Sequence, residues 1–273
     1  VTVLRVAAGQ AEARPGGDET TVRANAATAA RLTTRAAAEG ARVLVLPEAF
    51  LTGHEPGAFA GPLPAPRDLS GPVGGWLAEL QQAATDGDVV VVVSTALDRG
   101  TRRTLSSLVV RPGGEVVAAY DKQHLDGLER RHFVVGDAGA SVEVDGVRLG
   151  LSICYDGCFP EHARAAAADG AQAYLTSAAW FPGGEHRRDL HVASRALENG
   201  VYAVLSGLTG RCGALRFTGG SAVVDPEGRV LARLGEEEGL AIADVDTDVV
   251  AQVQEAHPML RDRRSDLGTR HLR

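Results

Sequence analysis

The sequence predicts an α/β protein in which two mixed β-sheets pack face to face with helices outside both. Three observations predict it. Strand-like apolar runs and helix-like segments alternate along the whole chain. Several turn signals join neighbouring strands directly, which a purely parallel sheet with helical crossovers would not contain. The 273 residues, 44% of them apolar, suffice for a real core without disulfide staples. No repeat and no clear linker interrupts the pattern, so 1–273 reads as a single domain.

Val1 to Ala8 reads as a first buried strand. Asp18 is placed to cap a long Ala-rich helix running to about Ala38, with Gly40 just beyond its end. Val43 to Leu46 is a continuous apolar run, typical of a strand covered on both faces; Pro47 stops it and Glu48 follows. Gly53 to Pro72, rich in Gly and Pro, is expected to be an irregular loop. A helix near Trp76 to Ala84 and a strand over Val89 to Leu97 come next. Leu105 to Val110 and Val116 to Tyr120 flank Arg111-Pro112-Gly113-Gly114-Glu115, a hairpin turn in which Pro presets φ and Gly accepts φ > 0. A second hairpin turns at Asp145-Gly146, and its outgoing strand, Val147 to Ile153, delivers Cys154. Pro160 starts a helix to about Ala168. Then follow a strand over Ala173 to Ser177, a helix near His186 to Glu198 and a strand over Val201 to Ser206. Pro226-Glu227-Gly228-Arg229 turns a third hairpin between Ser221 to Asp225 and Val230 to Leu234. A strand near Ala241 to Val245 and a short helix lead to a charged tail, about 257–273, expected to pack on a partner subunit.

Composition bounds the function. A net charge of −7 argues against nonspecific nucleic-acid binding. No apolar run approaches the roughly 20 residues of a membrane-spanning helix, and no charged start leads into an export signal. Three cysteines, an odd and sparse count, suggest reduced thiols in a cytoplasm rather than a disulfide framework. Lys122 is the one lysine among 28 basic residues. Under such a bias toward Arg, a retained Lys suggests a need for a compact ammonium rather than a planar fork, the alternative being chance survival on the surface.

Glu48, Lys122 and Cys154 each lie close to the end of an expected strand, where α/β sheets present side chains to ligands. Brought together they suit acyl transfer. A thiol attacks as thiolate, which a neighbouring ammonium favours. A carboxylate in reach can take the thiol proton, return it to a leaving amine and later activate water. The ammonium and a backbone N–H beside Cys154, that of Tyr155, can hold the oxyanion. Taken singly, the same residues also suit a packed core thiol, a solvated loop carboxylate and a surface amine.

The local sequences add a resemblance. Leu46-Pro47-Glu48 resembles the glutamate motif of the nitrilase superfamily of carbon–nitrogen hydrolases. Tyr120-Asp121-Lys122-Gln123-His124-Leu125 resembles its lysine motif, and Ile153-Cys154-Tyr155-Asp156 with Phe159-Pro160-Glu161 its cysteine motif. Arg195 to Gly200 and Gly220 to Gly228 are similar to its C-terminal half, so the likeness covers nearly the whole chain. The resemblance implies a four-layer αββα sandwich of two mixed β-sheets with outer helices, forming a homodimer or higher homo-oligomer. It implies Glu48 as general base, Lys122 as oxyanion stabiliser and Cys154 as nucleophile. Glu129 matches a second site carboxylate that holds Lys122, its alternative being a solvated charge beside Arg130 and Arg131. Trp180 aligns with a segment that lines the site, as an apolar wall for substrate or as ordinary packing. Cys158 stands where relatives often carry Arg or Trp. Cys-Tyr-Asp resembles the amide- and carbamoyl-hydrolysing members more than the nitrile hydrolysers.

The expectation is therefore a cytoplasmic, cofactor-free hydrolase of a small linear amide or N-carbamoyl compound, working through a Cys154 thioester. Its partner is a small molecule, with no nucleic acid, no membrane and no metal. Nitrile hydrolysis by the same site, and a catalytically silent binding protein, are the alternatives. Cys154, Cys158 and His162 are spaced as zinc ligands on a helix, but Pro160 interrupts them and no fourth ligand follows. Arg187 and Arg188 read as a solvated helix face rather than a carboxylate clamp, Arg195 and Glu198 as structural, and His124 and His132 as supports of the lysine region.

Overall fold

A computed structural model describes residues 2–70, 75–264 and 266–272. The ends of two expected segments, Val1 of the first strand and positions 71–72 of the Gly/Pro-rich loop, lie outside it, as do tail positions 265 and 273.

Two six-stranded sheets form the centre. In the first, β1 (Val3–Gln10), β2 (Val43–Val45) and β3 (Val90–Asp98) run parallel. Antiparallel β4 (Arg103–Val110) and β5 (Val116–Asp121) extend one side and β14 (Gly239–Asp246) the other. The second repeats the plan. Its parallel trio is β7 (Val147–Ile153), β8 (Ala173–Ala178) and β9 (Tyr202–Gly207). It is flanked by antiparallel β6 (Ser141–Val144) and by β12 (Ala222–Val224) with β13 (Val230–Arg233).

Side-chain alternation explains the layers. Val43 and Val45 of β2 point into the space between the sheets, with Val6, Val92, Leu149, Leu151, Ile153, Leu175 and Val204. Leu44 and Leu46 point the other way, into a core with Val91 and Val93 and with Val22, Ala26, Ala29 and Leu32 of helix α1 (Glu19–Ala38) and Leu80 and Ala84 of α4 (Ala78–Gly87). The run is apolar throughout because both faces are covered. Outside the second sheet, Val192 and Ala196 of α6 (Glu185–Leu197) pack on Ala178, Ala203, Leu205 and Val224. Helix α5 (Pro160–Ala168) lies against β7 and β8. The four layers expected are those observed.

Asp18 caps α1 as expected, accepting from Thr21 N at 3.1 Å. Three details differ from expectation. The stretch after Gly53 is not wholly irregular: it holds two short helices, α2 (Pro56–Ala60) and α3 (Pro66–Leu69), each begun by a proline whose missing N–H costs nothing there. Leu46 lies beyond β2, although its N–H still bonds Val92 O at 2.8 Å. A small separate hairpin, β10 (Thr209–Cys212) with β11 (Leu215–Thr218), follows β9 and had no sequence expectation. The closing helix α7 (Thr247–Ala256) sends Val250 into the inter-sheet core. No helix among the described residues is long and apolar enough to cross a membrane.

Candidate active site

Both sheets supply the site. Glu48 follows the end of β2, Lys122 follows β5 at once, and Cys154 follows β7 at once. Each backbone is pinned. Lys122 N donates to Leu105 O and its carbonyl accepts from Gly136 N, both at 2.8 Å. Glu48 N reaches across to Ala178 O of the second sheet at 3.4 Å. Cys154 opens a single 3-10 turn, Cys154–Cys158, with φ at 44°; Ala49, next to Glu48, has φ at 48°. Non-glycine residues seldom take such angles, and where they do a function commonly depends on the forced side-chain direction.

Lys122 is the centre of a buried charge cluster. Its ammonium lies 2.6 Å from Glu48 Oε1 and 2.6 Å from Glu129 Oε1. Glu129 sits in a 3-10 turn (Glu129–Arg131) and is fully buried, so it is not the solvated charge its arginine neighbours suggest. Its other oxygen accepts from Asp126 N at 2.9 Å. His54, buried in the loop after Glu48, places Nε2 3.5 Å from Glu48 Oε2 and 3.6 Å from Glu129 Oε1. Sequence reasoning missed His54; the available signal was a histidine after a loop glycine close behind Glu48. Glu48, His54 and Glu129 have ligand-type atoms within 4.8 Å of one another. The Lys122 ammonium already supplies the cation between the two carboxylates.

Burial and charge act together on these groups. Burial pushes Glu48 up and Lys122 pulls it down, while Glu129 pushes it up again, leaving it at about 7. Burial works the same way on Glu129, but its His54 hydrogen bond and Lys122 outweigh it and hold this carboxyl below its ordinary range. Burial alone would lower Lys122; the Glu48 and Glu129 carboxylates more than reverse it, so the ammonium stays charged. Cys154 senses both Glu48 and Lys122. Burial and then Glu48 raise its thiol well above normal, and the lowering by Lys122 does not compensate. Cys154 therefore rests as a thiol, and the carboxylate expected from the sequence to take its proton is needed.

Asp156 ties the lysine and cysteine segments together. Its buried carboxylate accepts from Tyr120 Oη at 2.7 Å and Ile153 N at 3.0 Å through one oxygen. The other accepts from His124 N at 2.8 Å and lies 2.9 Å from His124 Nδ1. Asp156→Asn turns one acceptor into a donor facing other donors. Stability is expected to fall by about 1–3 kcal/mol, read from the urea midpoint, with a lower kcat. An unchanged midpoint would show that the tie contributes nothing.

A model of the family described as carbon-nitrogen hydrolase matches residues 5–255. The chain belongs to that family. An (R)-stereoselective amidase from Pseudomonas sp. is 37% identical over 227 residues, 81% of this chain and 79% of the relative. A 2-oxoglutaramate amidase from Bacillus subtilis (strain 168) is 34% identical over 231 residues, 83% and 86% of the two chains. Among solved structures, a mutant amidase from Nesterenkonia sp. AN1, with acrylamide added at its active-site cysteine, superposes with a TM-score of 0.81. It is 32% identical, covering 96% of this chain and 97% of that one. A further form of that amidase is described as of the nitrilase superfamily.

In this carbon–nitrogen hydrolase Trp180 is half-buried and shares a cavity wall with Cys154, its ring stacked on His191 at 6.1 Å. Tyr155 is half-buried with its ring edge on Phe159. Arg188 corrects an expectation: Arg187 is exposed, but Arg188 is buried, bonding Thr218 Oγ1 at 3.2 Å and Gly219 O at 3.0 Å. Arg195 pairs with Glu198 and donates to Gly157 O at 2.9 Å, a structural role as expected. The zinc alternative fails on His162, whose two ring nitrogens face Tyr120 Oη at 2.9 Å and Tyr174 Oη at 2.8 Å.

Proposed function

We propose that the carbon–nitrogen hydrolase cleaves a small linear amide or N-carbamoyl compound through a thioester on Cys154. The observation that carries the reading is the Glu48–Lys122–Glu129 cluster beside a protonated Cys154 thiol. A thiol at rest needs a base. Glu48, with Oε2 free of any hydrogen-bond partner, takes the proton as sulfur bonds the carbonyl carbon. Lys122 and the Tyr155 N–H stabilise the resulting oxyanion. Glu48 returns the proton to the leaving nitrogen as the C–N bond breaks, giving the acyl-thioester. Water then attacks, Glu48 takes its proton, and the C–S bond breaks to release acid and restore the thiol. Glu129 holds Lys122 in place, and Trp180 forms a substrate wall. The amidase names of the relatives support the amide over the nitrile.

Assays of a panel of amides, carbamoyl amines and nitriles are expected to show ammonia release from the first two classes. Intact mass is expected to trap an acyl adduct on Cys154. Release from nitriles alone, or an adduct elsewhere, would overturn the reading. Glu48 must be ionised to act, so kcat/KM rises with pH through about 7. Glu48→Gln loses on the order of 100-fold or more and the limb with it.

A cytoplasmic homodimer completes the proposal. Leu190 and Leu197 on α6 and Val230 and Leu231 on edge strand β13 are exposed apolar side chains that self-association would cover. The described residues beyond His257 are largely exposed and suit packing on the partner. Sedimentation of the full chain tests this; a monomer would overturn it.

A further inference from the structure

His54 enters the site by an unusual route. Gly53 has φ at 74°, and a side chain there would press within 2.7 Å of Pro15 Cα. The loop therefore turns tightly against the Arg14–Pro15 segment and delivers the imidazole inward. Phe59, Phe181 and Phe217 close around it, with ring centroids at 5.1, 6.1 and 5.6 Å. Its Nδ1 is buried without a hydrogen-bond partner. Its polar surroundings are the two carboxylates at Nε2, with Lys122 behind them.

The charge count makes this placement informative. The facing groups are Glu48 from the loop after β2, Lys122 from the end of β5 and Glu129 from its 3-10 turn. Two carboxylates and one ammonium leave a net negative charge in a site closed to water. An uncompensated buried charge is costly, so the cluster favours one more proton. Two seats for it stand 3.5 Å apart: His54 Nε2 and Glu48 Oε2.

We propose that His54 is a positioning residue that acts through Glu48: the two share the extra proton of the cluster, and the imidazole sets the pH at which Glu48 is free to accept the Cys154 proton. With the proton on His54, Glu48 is a carboxylate and stays competent. Without the imidazole the proton has only carboxyl groups to occupy. Burial disfavours the imidazolium, yet Glu48 and Glu129 together raise the histidine's basicity. The proposal rests on Glu48 being the base for Cys154.

The test uses iodoacetamide, which needs no knowledge of the substrate. The rate of Cys154 alkylation is followed against pH by peptide mass, separately from Cys158 and Cys212. The unaltered enzyme is expected to show an acidic limb that levels off as Glu48 ionises; in Glu48→Gln that limb disappears and only the slower, continuous rise from the thiol's own ionisation remains. In His54→Gln the limb moves to higher pH by about one unit, a ten-fold slower reaction at its foot. An unmoved limb, a limb shifted to lower pH, or a uniform loss at every pH would overturn the proposal. Absence of any limb in the unaltered enzyme, or its persistence in Glu48→Gln, would overturn the base assignment as well. Should His54→Gln fail to fold, 15N spectra of the histidine-labelled native enzyme decide. An imidazolium that is still charged where the limb has risen is expected, since its charge is what keeps Glu48 ionised there; a neutral ring throughout overturns the proposal.

Discussion

Cys154→Ala abolishes amide turnover, with an expected loss of roughly 10,000-fold or more. Neither of the other two cysteines is placed to replace the sulfur. Cys158 lies at the far end of the same turn, and Cys212 is buried beneath the loop that carries Gly53. The fold is expected to survive, because Ala meets the same φ of 44° as the cysteine it replaces and only one atom of a half-buried residue is lost. Ammonia release, intact mass after mixing with substrate and a thermal melt check this together. Turnover that persists in the variant would end the nucleophile assignment, whereas loss of the melt would show a structural role instead.

Lys122 is expected to produce the largest stability effect. Lys122→Met leaves Glu48 and Glu129 buried without their shared cation, a situation that costs about 3–5 kcal/mol. The sign of its pH dependence follows. Without the ammonium a buried carboxyl binds its proton more tightly folded than unfolded. The variant therefore recovers stability at low pH and loses it as pH rises. Urea melts at pH 5 and pH 8 measure the difference, and equal losses at both would contradict the buried-pair account. Lys122→Arg keeps the charge but not the shape. Two contacts at 2.6 Å converge on one nitrogen, and a planar fork spreads its donors too widely to reproduce them. Activity is expected to fall by about 100-fold or more with a smaller stability loss than in the Met variant. Near-native activity would make the lone lysine a coincidence.

Much of this architecture was legible from residues whose surroundings are local or periodic. Val43 to Leu46 shows a doubly covered strand in its composition, and Pro-Gly and Asp-Gly signals mark the hairpins because φ at those positions is a property of the residues themselves. Glu48, Lys122 and Cys154 stood out by lying at strand ends. What the sequence hid depends on distant chain segments. His54 carries no periodicity, and only the Gly53 turn reveals its inward direction. Arg187 and Arg188 are equivalent on paper; the Gly219 carbonyl and the Thr218 hydroxyl decide which one is buried. How far the Cys154 thiol is raised is not legible either, because the charge of Lys122 is visible in sequence, while burial and the opposing effect of Glu48 are not. The β10–β11 hairpin has short strands with weak alternation and forms a two-stranded sheet of its own.

The two mixed sheets contribute opposite halves of the chemistry: Glu48 and Lys122 ride on one, Cys154 on the other. In the proposed mechanism the gap between sulfur and its base is therefore a mechanical dimension, gauged by the aliphatic filling to which Val45, Val92, Leu151 and Ile153 belong. A methyl group added or removed there is expected to reach the reaction as a change of separation, without altering any polar atom. Those side chains work as shims, and their sizes are part of the catalyst's tolerance.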